Sequence, residues 1–223
     1  MQEKPAGSLV NELTVAAFIE EAASAKPVPG GGGVAALAGA AAASMLEMAL
    51  NFTLGKKRFA PVEDDVKRLL KAITPIRHEL LDLVARDAAG YAEVAAVTRR
   101  TAATEDERRT RDAALHCAMQ GAMAAPLDMV RAMSSLAGHM AGVLKIANPN
   151  LVSDVAVAAA ILPGAARAAA LNVWANASAL DKEKAEHVTR EVEEALSRTA
   201  GLCGDALREI ERGLWPTKNA DNS

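Results

Sequence analysis

The sequence predicts an all-α fold, a single-domain bundle of long, partly kinked helices over residues 1–223. Three observations predict it. Alanine dominates an apolar fraction of 51%, aromatics make up only 3%, and runs of alternating Val, Ile and Thr are missing, which favours helix over pleated sheet. Apolar residues recur at three- and four-residue steps through long stretches, the spacing of one helix face. Short proline, glycine and capping signals separate those stretches, with no internal repeat or low-complexity linker.

The first helix is predicted from Thr14, an N-cap residue, with Val15, Phe18, Ile19 and Ala22 on one face and a stop before Pro27. Residues 27–33 then read Pro-Val-Pro-Gly-Gly-Gly-Gly and lead into an alanine-rich second helix ending near Leu54. It is apolar all round, which suits the centre of a bundle, and its small side chains let backbones approach closely. Pro61 fits a first helical position, and Glu63, Asp64 and Asp65 follow it where acids complement the macrodipole. This third helix is predicted to reach about Thr98, with a kink at Pro75. Thr104 and Glu107 form a capping-box pattern that opens the next helix, which Pro126 is expected to kink or break. Asn148-Pro149-Asn150 ends that region; Ser153-Asp154 opens another helix, which Pro163-Gly164 should interrupt before it resumes from Arg167 to Ala179. A charged last helix is predicted from Asp181 to about Gly213, with 1–12 and 216–223 flexible.

A net charge of -3 and a pI near 5.9 give no global basic field for nucleic acid or an anionic membrane, so an anionic ligand must be held by a local patch. Cys117 and Cys203 stand far apart in no CxxC spacing, which suits a reducing, cytoplasmic setting rather than a disulfide framework. The histidines at 78, 116, 139 and 187 show no ligand spacing, so no metal site is expected. The N-terminal stretch carries acids and no long apolar core, unlike a secretory signal. Residues 34–55 are long enough to span a bilayer and hold one charge, Glu47. Their alanine content, with Ser44, Asn51 and Thr53, argues for burial among other helices instead.

Asp87 is the first candidate for chemistry. The apolar stripe of the third helix, running through Ile73, Leu80 and Val84, continues at the same spacing to Asp87, Tyr91 and Val94. A carboxylate on that face loses hydration, and so either finds a partner or titrates at raised pH as a usable acid or base. Pairing with an arginine or a helix terminus is the structural alternative. The glycine run also has two readings: free N–H groups at a helix entrance suit a phosphate or carboxylate, while a plain loop would merely let two helices touch. It is neither a Walker loop nor a dinucleotide fingerprint, since no Lys-Ser/Thr follows and no strand precedes it. Lys56, Lys57 and Arg58 complement a helix C-terminus without needing a function, and Asp154 beside Ser153 is explained as capping.

Six segments in order change these odds: PVPGGGG at 27–33, NFTLGKKRF at 51–59, RDAAGY at 86–91, APLDMV at 125–130, NPNLVSD at 148–154 and ALNVWANA at 170–177. Together they resemble the formiminotransferase-cyclodeaminase C-terminal family, which includes stand-alone bacterial methenyltetrahydrofolate cyclohydrolases. The resemblance implies an all-helical homodimer that binds folate in a groove near the dimer interface. It places the acidic catalytic position on Asp87, groove-lining residues on Pro29, Gly30, Gly31 and Gly32, the basic motif on Lys56 and Lys57, and the Ser-Asp pair on Ser153 and Asp154. Asn148 and Asn172 match polar positions that face ligand. Two departures stand out: Gly33, where a Ser or Ala is common, and Arg99-Arg100-Thr101, where a Leu-Pro-Lys is common.

The implied activity is hydrolysis of 5,10-methenyltetrahydrofolate to the 10-formyl form, with Asp87 relaying protons and Lys57 stabilising oxyanion character or holding the glutamate tail. Cyclodeamination of 5-formiminotetrahydrofolate is the alternative, and a non-catalytic folate-binding or helical interaction module is a third. The tetrahydrofolate derivative enters as substrate, and no tightly bound cofactor is expected. With no transferase domain in the chain, a formimino group would have to come from another protein.

Overall fold

The computed structural model describes residues 12–177 and 179–214. The terminal segments expected to be flexible lie outside these residues, apart from Glu12. Among the described residues eight α-helices follow one another: α1 (Val15–Ala23), α2 (Gly31–Asn51), α3 (Glu63–Thr98), α4 (Glu105–Ala122), α5 (Ala124–Ala137), α6 (Met140–Ile146), α7 (Val152–Ala177) and α8 (Lys182–Leu214). Short 3-10 turns at Lys57–Val62 and Pro149–Leu151 precede α3 and α7, and no strand occurs among the described residues.

The alanine-rich α2 sits at the centre, packed between α3 and α7, with α5 beneath α7 and α8 beyond it. Ala36, Ala42, Ala43, Leu46, Ala49 and Leu50 of α2 are fully buried, and alanine is what allows so close a packing of backbones. At Gly39 a Cβ would lie 2.6 Å from Cε of Met133, so the missing side chain makes room for that methionine. α2 and α7 are antiparallel. The start of α2 meets Asn172 near the end of α7, and Thr53, just past α2, accepts a 2.9 Å hydrogen bond from the Asn148 N–H just before α7.

The one charge of the central helix, Glu47, is 8% exposed and takes a 2.6 Å ion pair from Arg77 of α3. By length and composition α2 and the 149–177 stretch could cross a membrane; here 61% and 44% of their most apolar windows are buried inside the fold. Cys117 and Cys203 are free, the first exposed and the second buried.

Several boundaries follow the sequence. Thr14 caps α1 by accepting from the Ala17 N–H. Thr104 and Glu107 form the reciprocal capping box of α4, at 3.2 and 2.9 Å. Asp181 precedes α8 and accepts from the Lys184 N–H at 2.9 Å. Four details differ. The glycines are not an approach to α2 but its beginning, since Gly30 is the N-cap and Gly31 to Gly33 form the first turn. Pro61 lies in the 3-10 turn, and α3 starts at Glu63. The chain turns again after α5 at Gly138-His139, a break with no proline to announce it. α7 is continuous through Pro163-Gly164, because an interior proline removes only one hydrogen bond while Val155, Leu162, Ala166 and Ala170 are held fully buried on either side of it.

Candidate active site

A cleft of about 320 Å³ opens where the start of α2, the second half of α3, the α4–α5 junction and the end of α7 converge. Its polar groups are few: the Gly31 and Gly32 backbone, Asp87, the Tyr91 hydroxyl, Asn172 and Asn176. Asp87 comes from α3, carried there by the apolar periodicity that buries Leu80, Val84 and Ala88 around it.

Its carboxyl rests on the N-terminus of α2. A Cβ on Gly32 would lie 2.5 Å from Cγ of Asp87, so only glycine leaves room for the carboxyl, and the Gly33 N–H donates a hydrogen bond to it. Burial nevertheless pushes the Asp87 carboxyl above its ordinary value of 3.8, the Gly33 hydrogen bond acting the other way. Its partner is thus a helix terminus rather than an arginine. The adjacent Arg86 reaches away to Asp128 at 2.9 Å. The structural alternative for Asp87 and the chemical one therefore coincide: the helix end fixes the carboxyl in the cleft, and desolvation raises its proton affinity.

On the opposite wall, Asn172 donates to the Ala168 carbonyl at 2.9 Å and Asn176 to the Asn172 carbonyl at 3.0 Å, which leaves each side-chain carbonyl oxygen available to the cleft. Asn176 and Tyr91 were not among the expected site residues, although Tyr91 lies on the apolar stripe that led to Asp87. Helical spacing from Asn172 and Asp87, four residues on in each case, is the signal that finds them.

The other expected residues are elsewhere. Lys56 and Lys57 are exposed and follow the far end of α2, which at 1.5 Å per residue is about 30 Å from its glycines. Gly55, with φ 70°, turns the chain there. Asn148 accepts from the Asn150 N–H at 3.1 Å, and Ser153 and Asp154 lie in the first turn of α7; the Thr53–Asn148 bond holds all of these beside the lysines. One chain therefore gathers Pro29, Gly30, Gly31, Gly32, Asp87 and Asn172 at one end, and Lys56, Lys57, Asn148, Ser153 and Asp154 at the other.

Comparison with known proteins bears on both groups. The formiminotransferase-cyclodeaminase family model matches residues 14–194, a span that holds both ends. The chain is 33% identical over 190 residues to a methenyltetrahydrofolate cyclohydrolase of Methylorubrum extorquens, covering 85% of this chain and 91% of that protein. It is 28% identical to the formimidoyltransferase-cyclodeaminase of Rattus norvegicus, matching 86% of this chain but 37% of that longer protein. The crystal structure of formiminotetrahydrofolate cyclodeaminase from Thermotoga maritima superposes with a TM-score of 0.79 at 29% identity, over 92% of this chain and 98% of that one. With the family's span, its helical fold and the six segments all present in one chain, this protein belongs to the formiminotransferase-cyclodeaminase family.

Proposed function

We propose that the chain hydrolyses 5,10-methenyltetrahydrofolate to 10-formyltetrahydrofolate. The observation that carries this is the Asp87 carboxyl, held in the cleft by the first turn of α2 with its proton affinity raised by burial. Water adds to the electrophilic carbon between N5 and N10, and Asp87 takes a proton from it. The tetrahedral intermediate then breaks its bond to N5, which receives that proton, while the second proton of the water passes to solvent. A relay of this kind is worth about 10² to 10⁴ in rate. Asn172 and Asn176 offer acceptors to the donor-rich edge of a pterin.

Similarity to a stand-alone cyclohydrolase at 33% identity favours this reaction over cyclodeamination. The Thermotoga neighbour keeps the second reaction in view, since the same acid would protonate departing ammonia. The two are separated by supplying each substrate to purified protein and following the methenyl chromophore, which disappears in hydrolysis and appears in cyclodeamination. Folded protein that produces neither change leaves a binding module as the remaining reading.

The working unit in this proposal is a homodimer. α2 and α7 present apolar side chains to solvent on their outer faces, Val34 and the C-cap residue Phe52 on one and Val157, Ile161 and Leu171 on the other, each 36% to 57% exposed. A two-fold axis through the middle of this face brings the glycine end of one copy opposite the lysine end of the other. The partner's Lys56 and Lys57 then reach the cleft that one chain alone leaves without a cation, where they hold the glutamate tail. A cytoplasmic, folate-supplied setting suits this chemistry.

A further inference from the structure

We infer that Tyr91 is the stacking platform for the flat heterocycle of the substrate and fixes its orientation against Asp87; the inference rests on the folate reading above. Tyr91 lies one helical turn after Asp87 on the cleft side of α3 and is the one aromatic side chain among the residues that line the cleft. It is 48% exposed, although the stripe it continues is buried from Val66 to Ala88. The neighbouring backbone explains why the ring is not drawn into the core. At Gly90 a Cβ would lie 3.1 Å from Cα of Ala122, so α4 closes tightly on α3 beside Tyr91, and the ring is left projecting over the opening. The remaining wall there is small and aliphatic, with Val28, Val94, Ala122 and Pro126.

An aromatic ring of this size left half in water forgoes burial that would stabilise the fold, and a planar ligand recovers it. A ring four residues from Asp87 also sets which edge of that ligand the carboxyl meets. The phenolic oxygen has no part in this, so the ring face alone should suffice.

The test is the binding of folate itself by calorimetry, together with KM and kcat for methenyltetrahydrofolate, in wild type, Tyr91→Phe and Tyr91→Ala. Tyr91→Ala is expected to weaken folate binding and raise KM roughly tenfold, within the range that loss of one stacked aromatic spans. Tyr91→Phe should bind within about twofold of wild type on the same basis. Thermal melts check that both variants fold, and Tyr91→Leu, which keeps the bulk but not the ring, is expected to resemble Tyr91→Ala. Wild-type affinity in Tyr91→Ala, or a loss in Tyr91→Phe as large as in Tyr91→Ala, overturns the platform while leaving the cyclohydrolase reading intact. A wild-type protein that neither binds folate nor consumes the methenyl substrate overturns both.

Discussion

At the scale of single residues the site turns on Asp87 and Gly32. Asp87→Asn keeps the size of the side chain and its ability to accept from the Gly33 N–H but has no proton to relay, so kcat should fall by about 10² or more. Its effect on stability has the opposite sign. Because burial raises the folded pKa of Asp87, the stability of its neutral form is fully present below 3.8 and is lost as pH rises through the raised value. The permanently neutral Asp87→Asn is therefore expected to melt no lower than wild type at pH 7, and the two should converge in acid. A variant that loses both turnover and melting temperature at pH 7 contradicts this account of Asp87. Gly32→Ala places a methyl group where the carboxyl now sits, 2.5 Å from its Cγ. Alanine is the better helix former by about 1 kcal/mol, so the helix itself should tolerate the change while turnover drops with the displaced carboxyl. Gly31→Val acts on a more open position, where a Cβ would meet only the Asn172 amide at 3.8 Å. Of the two glycines, position 32 is the more sensitive.

At the scale of elements, the antiparallel α2–α7 pair is the frame on which both clusters of expected site residues are mounted. Thr53 fastens its lysine end. The side chain is 1% exposed, donates to the Ala49 carbonyl at 2.8 Å and accepts from the Asn148 N–H at 2.9 Å. Thr53→Val removes both bonds without changing the volume and leaves a half-buried N–H without its acceptor, a loss of about 1–3 kcal/mol. Denaturant unfolding should register that loss, and on the homodimer proposal folate binding should weaken with it, since Lys56 and Lys57 follow the loosened segment. If unfolding is unchanged, the link between the two segments is not structural. α4 contrasts with this frame: it buries no residue and is secured chiefly by its capping box and its packing on α3, so the outer wall of the cleft is its least anchored part.

At the scale of the whole molecule, the distance between the two clusters makes the assembly testable. In a homodimer with shared sites, Asp87→Asn and Lys57→Ala damage the same cleft from different chains. Co-expressing the two inactive variants then creates mixed dimers in which one cleft has both wild-type groups, restoring on the order of one quarter of wild-type activity if pairing is random. No recovery, with mixed dimers demonstrated, would mean that each chain works alone and that the lysines serve another purpose. In such a homodimer the apolar outer face of α2 and α7 would be covered, so substituting Val157 and Leu171 together with Asp is expected to yield folded monomers without turnover.

The helical class, the capping of α1, α4 and α8 and the family were legible in the sequence, because capping, propensity and motif order act over a few residues and leave local signatures. So was the apolar-face position of Asp87, which follows from helical period alone. Three things were decided by tertiary structure. Pro163 does not break α7, since burial on both sides outweighs one lost hydrogen bond. The glycines are the first turn of a helix, with position 32 emptied for a carboxyl 55 residues further along the chain. And the expected site residues lie at the two ends of α2 within one chain, because sequence order records which residues occur together but not how far a 21-residue helix carries them apart.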